Sequence, residues 1–304
     1  MKHLLTLSIV ITTLVMIITG FKFPLSNSSS KNLPEGYVNI PEGAVIIRTN
    51  YDDSRPVIMD STEAFYIASA EVSNSQYIEF LGDLKATGKL DEYHKNLPDT
   101  TVWRDLLAYN EPYVMYYFRH DAYMNYPVVG VSKVQAQNYA AWKTKKHKEA
   151  HPLSNISFQL PTKKQWKRAA RGANNYRYSN GAYLRGDANE KDRRMRYKFL
   201  YNFKYTGPEA VHRDEESRKY SVVYVGLGQL EDDGALITTQ VKSYWPNEFG
   251  VYNMCGNVAE LVEDDSVAMG GSWNDPGFDV RVESMQNANK PTSTIGFRLI
   301  AVSK

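Results

Sequence analysis

Three capping boxes mark the starts of helices and constrain the fold of this chain more than any other local feature. In each box a hydroxyl residue is followed three positions later by a glutamine: Ser73 and Gln76, Ser132 and Gln135, Thr162 and Gln165. The hydroxyl accepts a hydrogen bond from the third backbone amide of the helix, and the glutamine side chain accepts one from the amide of the cap residue. Apolar residues at helical spacing follow each box, so the sequence predicts three chief helices.

The other regular segments are short runs of β-type residues, each ended by turn residues or a charge. They are 36–47, 64–67, 128–131 and 221–225. None of them is long enough for a large regular sheet, and glycine and proline interrupt the chain between them. A few helices, scattered short strands and long loops predict an α+β domain that is rich in loops.

Size and charge limit the class of protein. The chain has 304 residues, of which 42% are hydrophobic, enough to bury a large core in one domain. Its formal net charge is +2, with both signs interleaved along the chain. Because there is no basic stripe that could follow a phosphate backbone, we expect no nucleic-acid partner.

The first residues have the character of an export signal. Lys2 and His3 precede a run, 4–18, that contains only apolar, serine and threonine residues. A membrane span needs roughly 20 apolar residues, so we expect an export signal over residues 1–21, with an N-terminal membrane anchor as the alternative. Phe21 stands where a lipoprotein signal has its lipidated cysteine, and no acyl anchor is expected.

The rest of the chain divides into a tether and a folded domain. A flexible tether rich in serine, asparagine and lysine is predicted over 22–35, and the folded domain over 36–304. We therefore expect an exported protein, either periplasmic or associated with the outer membrane.

Cys255 is the only cysteine, so no disulfide can form within the chain. A lone cysteine can be a nucleophile. Cys255, however, lies in an apolar stretch flanked by glycine, which favours a small buried side chain without reactivity.

Three blocks near the C-terminus occur in a fixed order and spacing. They are 249–260, with Asn253, Gly256 and Glu260; Gly270-Gly271-Ser272-Trp273; and Gly296-Phe297-Arg298. Further blocks are 38–43, 65–77, 126–132 and 160–166. Together they resemble the formylglycine-generating enzyme (sulfatase-modifying factor) superfamily from about Gly36 to Val302. The resemblance implies a compact, loop-rich fold related to the C-type lectin arrangement.

One expected feature of that superfamily is missing. Its members that oxidise a substrate cysteine hold copper with a cysteine pair in the stretch before the Gly-Phe-Arg block, and residues 273–285 contain no cysteine. We therefore expect no copper centre and interpret the chain as a protein that does not generate formylglycine. Whether it is an enzyme of another kind is left open by the sequence.

A second set of motifs indicates a subfamily. The segments 98–105, 108–112 and 116–120 resemble a region of the gliding-motility and type IX secretion lipoproteins of Bacteroidetes. Those relatives are structural components at the periplasmic side of the outer membrane, so the resemblance implies protein partners in an envelope complex. The region is rich in tyrosine, which suits protein contacts. The alternative is that this region, the insertion 98–126, packs with its rings turned inward.

The resemblance also implies calcium. One superfamily site would be formed by Asn253, Gly256, Val258 and Glu260, and a second by Asn202, Phe203, Asp233 and Ala235. Calcium prefers oxygen ligands from carboxylates, amides and backbone carbonyls on irregular loops. The alternative for both sets is turn capping by asparagine and aspartate.

His147 and His151 have the spacing of two metal ligands on one helical face. Pro152 follows at once and several lysines precede the pair, so we favour two exposed histidines at the basic end of a helix.

Three functional hypotheses follow. The first is a non-catalytic structural component of an envelope assembly of the gliding-motility or type IX secretion type. The second is an oxidase or hydroxylase of the same superfamily that uses other ligands, which a cleft with converging histidine or acidic side chains near Trp273 and Arg298 would favour. The third is a module that binds glycan or peptide.

Overall fold

The computed structural model describes residues 34–48, 57–105, 107–172, 176–186, 199–204, 211–213, 220–222 and 235–303. The chain divides after Leu33, and all the described residues belong to the unit Pro34–Lys304. Within these ranges, no helix has the length and apolar character needed to cross a bilayer. The predicted export signal lies outside the described residues.

The described residues contain five α-helices. Their bounds are α1 Asn74–Ala86, α2 Leu90–Lys95, α3 Glu111–Tyr116, α4 Lys133–Ala150 and α5 Lys163–Arg171. The three predicted capping boxes are all formed, and they start α1, α4 and α5. At α1, for example, the Ser73 amide donates to Gln76 Oε1 at 3.1 Å and the Gln76 amide donates to Ser73 Oγ at 3.3 Å. The prediction of three chief helices is confirmed.

Twelve short strands in the described ranges form four small sheets. Their bounds are β1 Tyr37–Ile40, β2 Gly43–Arg48, β3 Val57–Thr62, β4 Phe65–Ala68, β5 Ile156–Gln159, β6 Val211–Arg213, β7 Tyr220–Val222, β8 Ala259–Leu261, β9 Val267–Met269, β10 Met285–Asn287, β11 Ile295–Gly296 and β12 Ile300–Ser303. The strand orders are β1-β4-β12-β5, β10-β9-β8-β11, β2-β3 and β6-β7. Short helices and strands joined by long loops confirm the predicted α+β, loop-rich fold.

The C-terminal strand links the two larger sheets. β12 lies between β4 and β5, with Ile300 opposite both Ile67 and Gln159. β11, only a few residues earlier, pairs in parallel with β8 and places Gly296 opposite Glu260. The residues between β11 and β12, including Arg298, are therefore held where the two sheets meet.

The predicted strand over 128–131 is wrong. The backbone amides of this segment donate to different parts of the chain, Val128 to the Val72 carbonyl and Gly130 to the Thr292 carbonyl, both within 3.0 Å. Gly130 has a φ of +73°, and a Cβ at this position would lie 2.3 Å from the Asp99 carbonyl oxygen. The segment is buried and has no continuous strand partner among the described residues.

The core of the described residues contains three groups of side chains, the third of which surrounds Trp103 and Tyr117. The first joins α1 to α4, where the rings of Tyr77 and Tyr139 stack with their centroids 5.7 Å apart and the ring of Phe297 meets both edge-on. The second surrounds Trp166 of α5. Trp166 is fully buried among residues of the sheet β1-β4-β12-β5 and of the loop before β8. The glycine-rich C-terminal blocks thus lie inside the core.

Candidate functional site

An ion pair between Arg298 and Glu260 lies at the centre of the fold. Both side chains are fully buried. Arg298 donates from Nε to Glu260 Oε2 at 2.6 Å and from Nη2 to Oε1 at 2.5 Å. Trp166 Nε1 adds a third hydrogen bond, to Oε2 at 2.8 Å. A bidentate pair with additional donors is the arrangement that makes a buried carboxylate tolerable.

Glu71 adds a second buried carboxylate beside the pair. Its Oε1 accepts from Asn257 Nδ2 at 2.9 Å, and its Oε2 accepts from Asn253 Nδ2 at 3.3 Å. Arg298 Nη2 is 3.9 Å from Oε2, so one guanidinium faces two carboxyl groups. Burial, reinforced by the charge of Glu260 and opposed by Arg298, raises the pKa of Glu71 to about 8. The cluster is therefore compatible with a protonated Glu71 at neutral pH.

A left-handed turn presents the two asparagines to Glu71. Asn253, Gly256 and Asn257 have φ values of +53°, +77° and +60°, a region that asparagine and glycine tolerate. A Cβ at Gly256 would lie 2.2 Å from the Asn202 carbonyl oxygen, so only glycine fits there. That carbonyl accepts from the Asn257 amide at 2.8 Å.

The structure brings the first predicted calcium set together around this turn, but Glu260 does not fit the role of a ligand. Both of its carboxylate oxygens already accept from Arg298, and a cation there would be repelled by the guanidinium. Asn253 points its amide nitrogen at Glu71 and at the Val241 carbonyl. Gly256 and Val258 are buried beside the turn. Calcium at this set stays a prediction.

The second predicted set is described in part. Asn202 Nδ2 donates to the Ile237 carbonyl at 2.9 Å and to Asn257 Oδ1 at 3.3 Å, so Asn202 lies between the turn and the segment that begins at Ala235. Phe203 is buried, with its ring packed edge-on against Phe199 at 5.4 Å. Asp233 lies outside the described residues. Because Asn202 uses its amide nitrogen in both bonds, its side-chain oxygen suits a hard cation.

In the described ranges, no three histidine, cysteine or acidic side chains lie close enough together to hold a metal ion. The rings of His147 and His151 have centroids 4.8 Å apart at the end of α4, and His147 Nε2 lies 3.0 Å from Ser154 Oγ. Burial, together with His151 and Lys143, lowers the pKa of His147.

Cys255 is a buried structural residue, as predicted. Its side chain is 1% exposed and packs in the group around Trp166. Burial raises the pKa of the thiol to about 12, so the neutral thiol is the stable form at physiological pH. Because the thiolate is the nucleophile and the metal ligand, Cys255 is inert in both roles.

Trp273, the first residue of the segment in which the superfamily's copper cysteines are expected, contacts the insertion. Trp273 stacks on Trp103, and Trp273 Nε1 donates to the Ser293 carbonyl at 3.1 Å. Asp275 and Asp279 are the acidic side chains nearby. Burial, and then the charge of Asp275, raises the pKa of Asp279. Arg298 is buried in its ion pair, so it does not line an open cleft with Trp273.

The tyrosines of the insertion divide between the core and the surface. Tyr117 is 1% exposed and donates to the Pro127 carbonyl at 2.7 Å. Tyr113, Tyr123 and Tyr126 are half-buried around it. Most of the rings therefore turn inward, as the packed-insertion alternative expected. The large side chains left most open are Leu107, Tyr109, Met115 and Tyr116.

Sequence reasoning missed Glu71 and Asn257 as members of the buried cluster. Glu71 stands directly before the first capping box, inside one of the blocks that carry the resemblance. A charged residue between apolar neighbours in such a block is the signal that could have singled it out, because buried charges need specific partners.

These features define a class of loop-rich α+β proteins whose glycine-rich C-terminal blocks surround a buried arginine–glutamate pair. Residues 22–302 match the sequence model of the sulfatase-modifying factor enzyme 1-like domain, and the chain belongs to this family. A formylglycine-generating enzyme of Thermomonospora curvata is 26% identical over 275 residues, which cover 81% of this chain and 76% of that enzyme.

Solved structures share the fold. PvdO from Pseudomonas aeruginosa has a TM-score of 0.55 and 21% identity, over 89% of this chain and 95% of PvdO. CarF has a TM-score of 0.53 and 18% identity, over 88% and 98% of the two chains. Treponema denticola variable protein 1 has a TM-score of 0.53 and 17% identity, over 88% and 95%. At these identities the likeness extends to the fold and no further.

Proposed function

We propose that this chain is a non-catalytic structural component of a bacterial cell-envelope assembly of the gliding-motility or type IX secretion type. The observation that carries the non-catalytic part is the state of Cys255. Copper-dependent formylglycine generation in this superfamily requires two cysteines, and the chain has one, buried with a neutral thiol. The chain therefore lacks the ligands for that reaction while retaining the fold.

The insertion supports a role in assembly. Trp103 and Tyr117 anchor it to the domain: the Trp103 ring stacks on Trp273 with centroids 5.9 Å apart, and the Tyr117 hydroxyl is hydrogen-bonded to Thr238 Oγ1 at 2.8 Å. Leu107 and Tyr109 project from the same insertion with 97% and 85% of their surface exposed. Exposed large apolar and aromatic side chains on an element anchored to the domain are suited to a protein partner.

The envelope location rests on the predicted export signal at residues 1–21 and on the resemblance of the insertion to Bacteroidetes lipoproteins. Association with the outer membrane would then come from protein partners or from the N-terminal segment.

The experiment is purification of the tagged full-length protein from intact envelopes after mild crosslinking, with mass spectrometry of the partners. We expect a secretion or motility component in a fixed ratio to the chain. Leu107→Glu should abolish its recovery, and Leu153→Glu should not, although Leu153 is also 97% exposed. Recovery of the wild-type protein without a stoichiometric envelope partner would overturn the proposal.

An oxidase or hydroxylase of the same superfamily is the second candidate. Two observations favour it: the similarity to the formylglycine-generating enzyme of Thermomonospora curvata, and the two acidic side chains Asp275 and Asp279 near Trp273. This candidate predicts an oxygen-consuming activity that is lost in Asp279→Asn. The structural proposal predicts that Asp279→Asn leaves partner recovery intact.

A further inference from the structure

A cavity of about 460 Å³ opens between the start of α1, the middle of α4 and the loop 240–242. Its lining includes Tyr37, Gln76, Tyr139, Lys143 and Lys242. Small-molecule sites in proteins have volumes of about 300–1,000 Å³. The cavity is therefore large enough for a ligand of the size of a sugar or a dipeptide, and the proposed envelope role makes no use of it.

Lys143 is the most unusual group in this cavity. Its side chain is half-buried, and its ammonium lies 5.5 Å from the centroid of the Phe158 ring. Across the described part of the chain, this ammonium forms no ion pair with a carboxylate. Burial lowers the pKa of Lys143. An ammonium partly removed from water with only an aromatic ring facing it is unfavourable, and an anion in the cavity would relieve that cost.

Gln76 and Tyr139 supply neutral donors to the same space. The capping box uses the side-chain oxygen of Gln76, which leaves its amide hydrogens for a ligand. Burial raises the pKa of Tyr139, so its hydroxyl stays protonated. The exposed Lys242 adds a second positive charge at the rim.

The acidic groups around the cavity do not cancel this character. Glu71 also lines the cavity, but its side chain is fully buried and its carboxylate faces Asn257 and Arg298. Glu35 lies in the lining and is exposed. Glu79 acts on Lys143 only from the exposed face of α1. Lys143 and Lys242 are the cations of the lining, and Gln76 and Tyr139 are neutral donors in it.

We propose that this cavity binds small organic carboxylates. The carboxylate accepts hydrogen bonds from Lys143 Nζ and Gln76 Nε2, and the remainder of the ligand packs against the half-buried residues 68–70 of the lining. A sugar acid and the free C-terminus of a peptide share this chemistry and both fit the volume. The inference is independent of the proposed envelope role.

The test is isothermal titration calorimetry of the full-length protein with two matched pairs of probes: sodium glucuronate with glucose, and acetyl-glycyl-glycine with its amide. We expect binding of a carboxylate probe and none of its uncharged partner. A hydrogen bond to a charged group contributes about 1.5–3 kcal/mol, so Lys143→Met should weaken binding by about tenfold or more. Lys148→Met, an exposed lysine of the same helix outside the lining, should leave it unchanged.

The relative affinities of the two carboxylates then identify the sugar acid or the peptide terminus as the source. If Lys143→Met fails to fold by circular dichroism, Lys242→Met gives the same comparison at the rim. The proposal is overturned if neither carboxylate binds to the wild-type protein, if glucose and the peptide amide bind as well as the acids, or if a folded Lys143→Met retains wild-type affinity.

Discussion

Trp103 stacks on Trp273, with their ring centroids 5.9 Å apart and their planes inclined by 20°. Trp103 belongs to the insertion and Trp273 to the glycine-rich C-terminal blocks. The contact therefore places the insertion against the segment in which catalytic relatives would carry their cysteine pair. It fixes the insertion to the first residue of that segment.

Removing this contact should cost stability. Trp103 is 4% exposed, and large-to-small changes of a buried aromatic residue cost about 3–5 kcal/mol. We expect Trp103→Ala to lower the free energy of unfolding in urea by that amount. Tyr109→Ala, in the same insertion but on its surface, should change it by less than about 0.5 kcal/mol. Equal effects of the two substitutions would show that the stack does not anchor the insertion.

The buried ion pair should matter far more than an exposed one. Arg298→Met leaves Glu260 buried without its cation, and breaking a buried pair costs about 3–5 kcal/mol. Arg104→Met is the matched control, because Arg104 and Glu111 form an exposed pair at 2.7 Å and solvent-screened surface pairs contribute little to stability. Chemical denaturation of both variants measures the difference. If Arg298→Met lowered the free energy of unfolding by less than Arg104→Met does, the assigned geometry of the buried pair would be contradicted.

Glu71 should make stability depend on pH. Its pKa in the folded protein is raised to about 8 from an ordinary value of 4.5, so the folded state holds a proton that the unfolded state releases. The stability that Glu71 contributes is fully present below pH 4.5 and is lost as the pH rises towards 8. We expect the free energy of unfolding to fall between these values. Glu71→Gln, which cannot ionise, should flatten the decline, and an unchanged pH profile would refute this assignment.

Calcium should stabilise the protein through the second predicted set. An ion that binds only the folded state stabilises it by about 2.7 kcal/mol at a free concentration 100-fold above its Kd. We expect calcium to raise the midpoint of thermal unfolding and chelation to reverse the rise. Asp233→Asn should remove the effect, and Asp232→Asn, at the neighbouring acidic residue, should keep it. A midpoint insensitive to calcium would count against the site.

The helices α1, α4 and α5 were predictable because a capping box is local, whereas α2 and α3 have no side-chain cap to announce them. Ser73 and Gln76 lie three positions apart, and their hydrogen bonds form wherever the helix starts. The sheets were not, because strands of two to six residues are defined by distant partners. Ile300, for example, pairs with Ile67 and Gln159, and periodicity within so short a strand carries little signal.

The sequence identified several residues of the candidate site, but it did not predict the contacts between them. The resemblance implied Glu260 as a calcium ligand, but nothing local to Glu260 indicated its pairing with Arg298, 38 positions later. That contact depends on the parallel pairing of β11 with β8. Glu71 joins from the other end of the chain, and no local pattern links it to Asn257.

The most direct test of the central claim is an assay for formylglycine. The purified protein is supplied with copper, oxygen and a peptide carrying a sulfatase-type cysteine motif, and the peptide is analysed by mass spectrometry. The Thermomonospora curvata enzyme serves as the positive control. We predict that the cysteine stays unmodified in the presence of this protein. Conversion to formylglycine above the copper-only background would contradict the account, because Cys255 is the only thiol in the chain and it is buried.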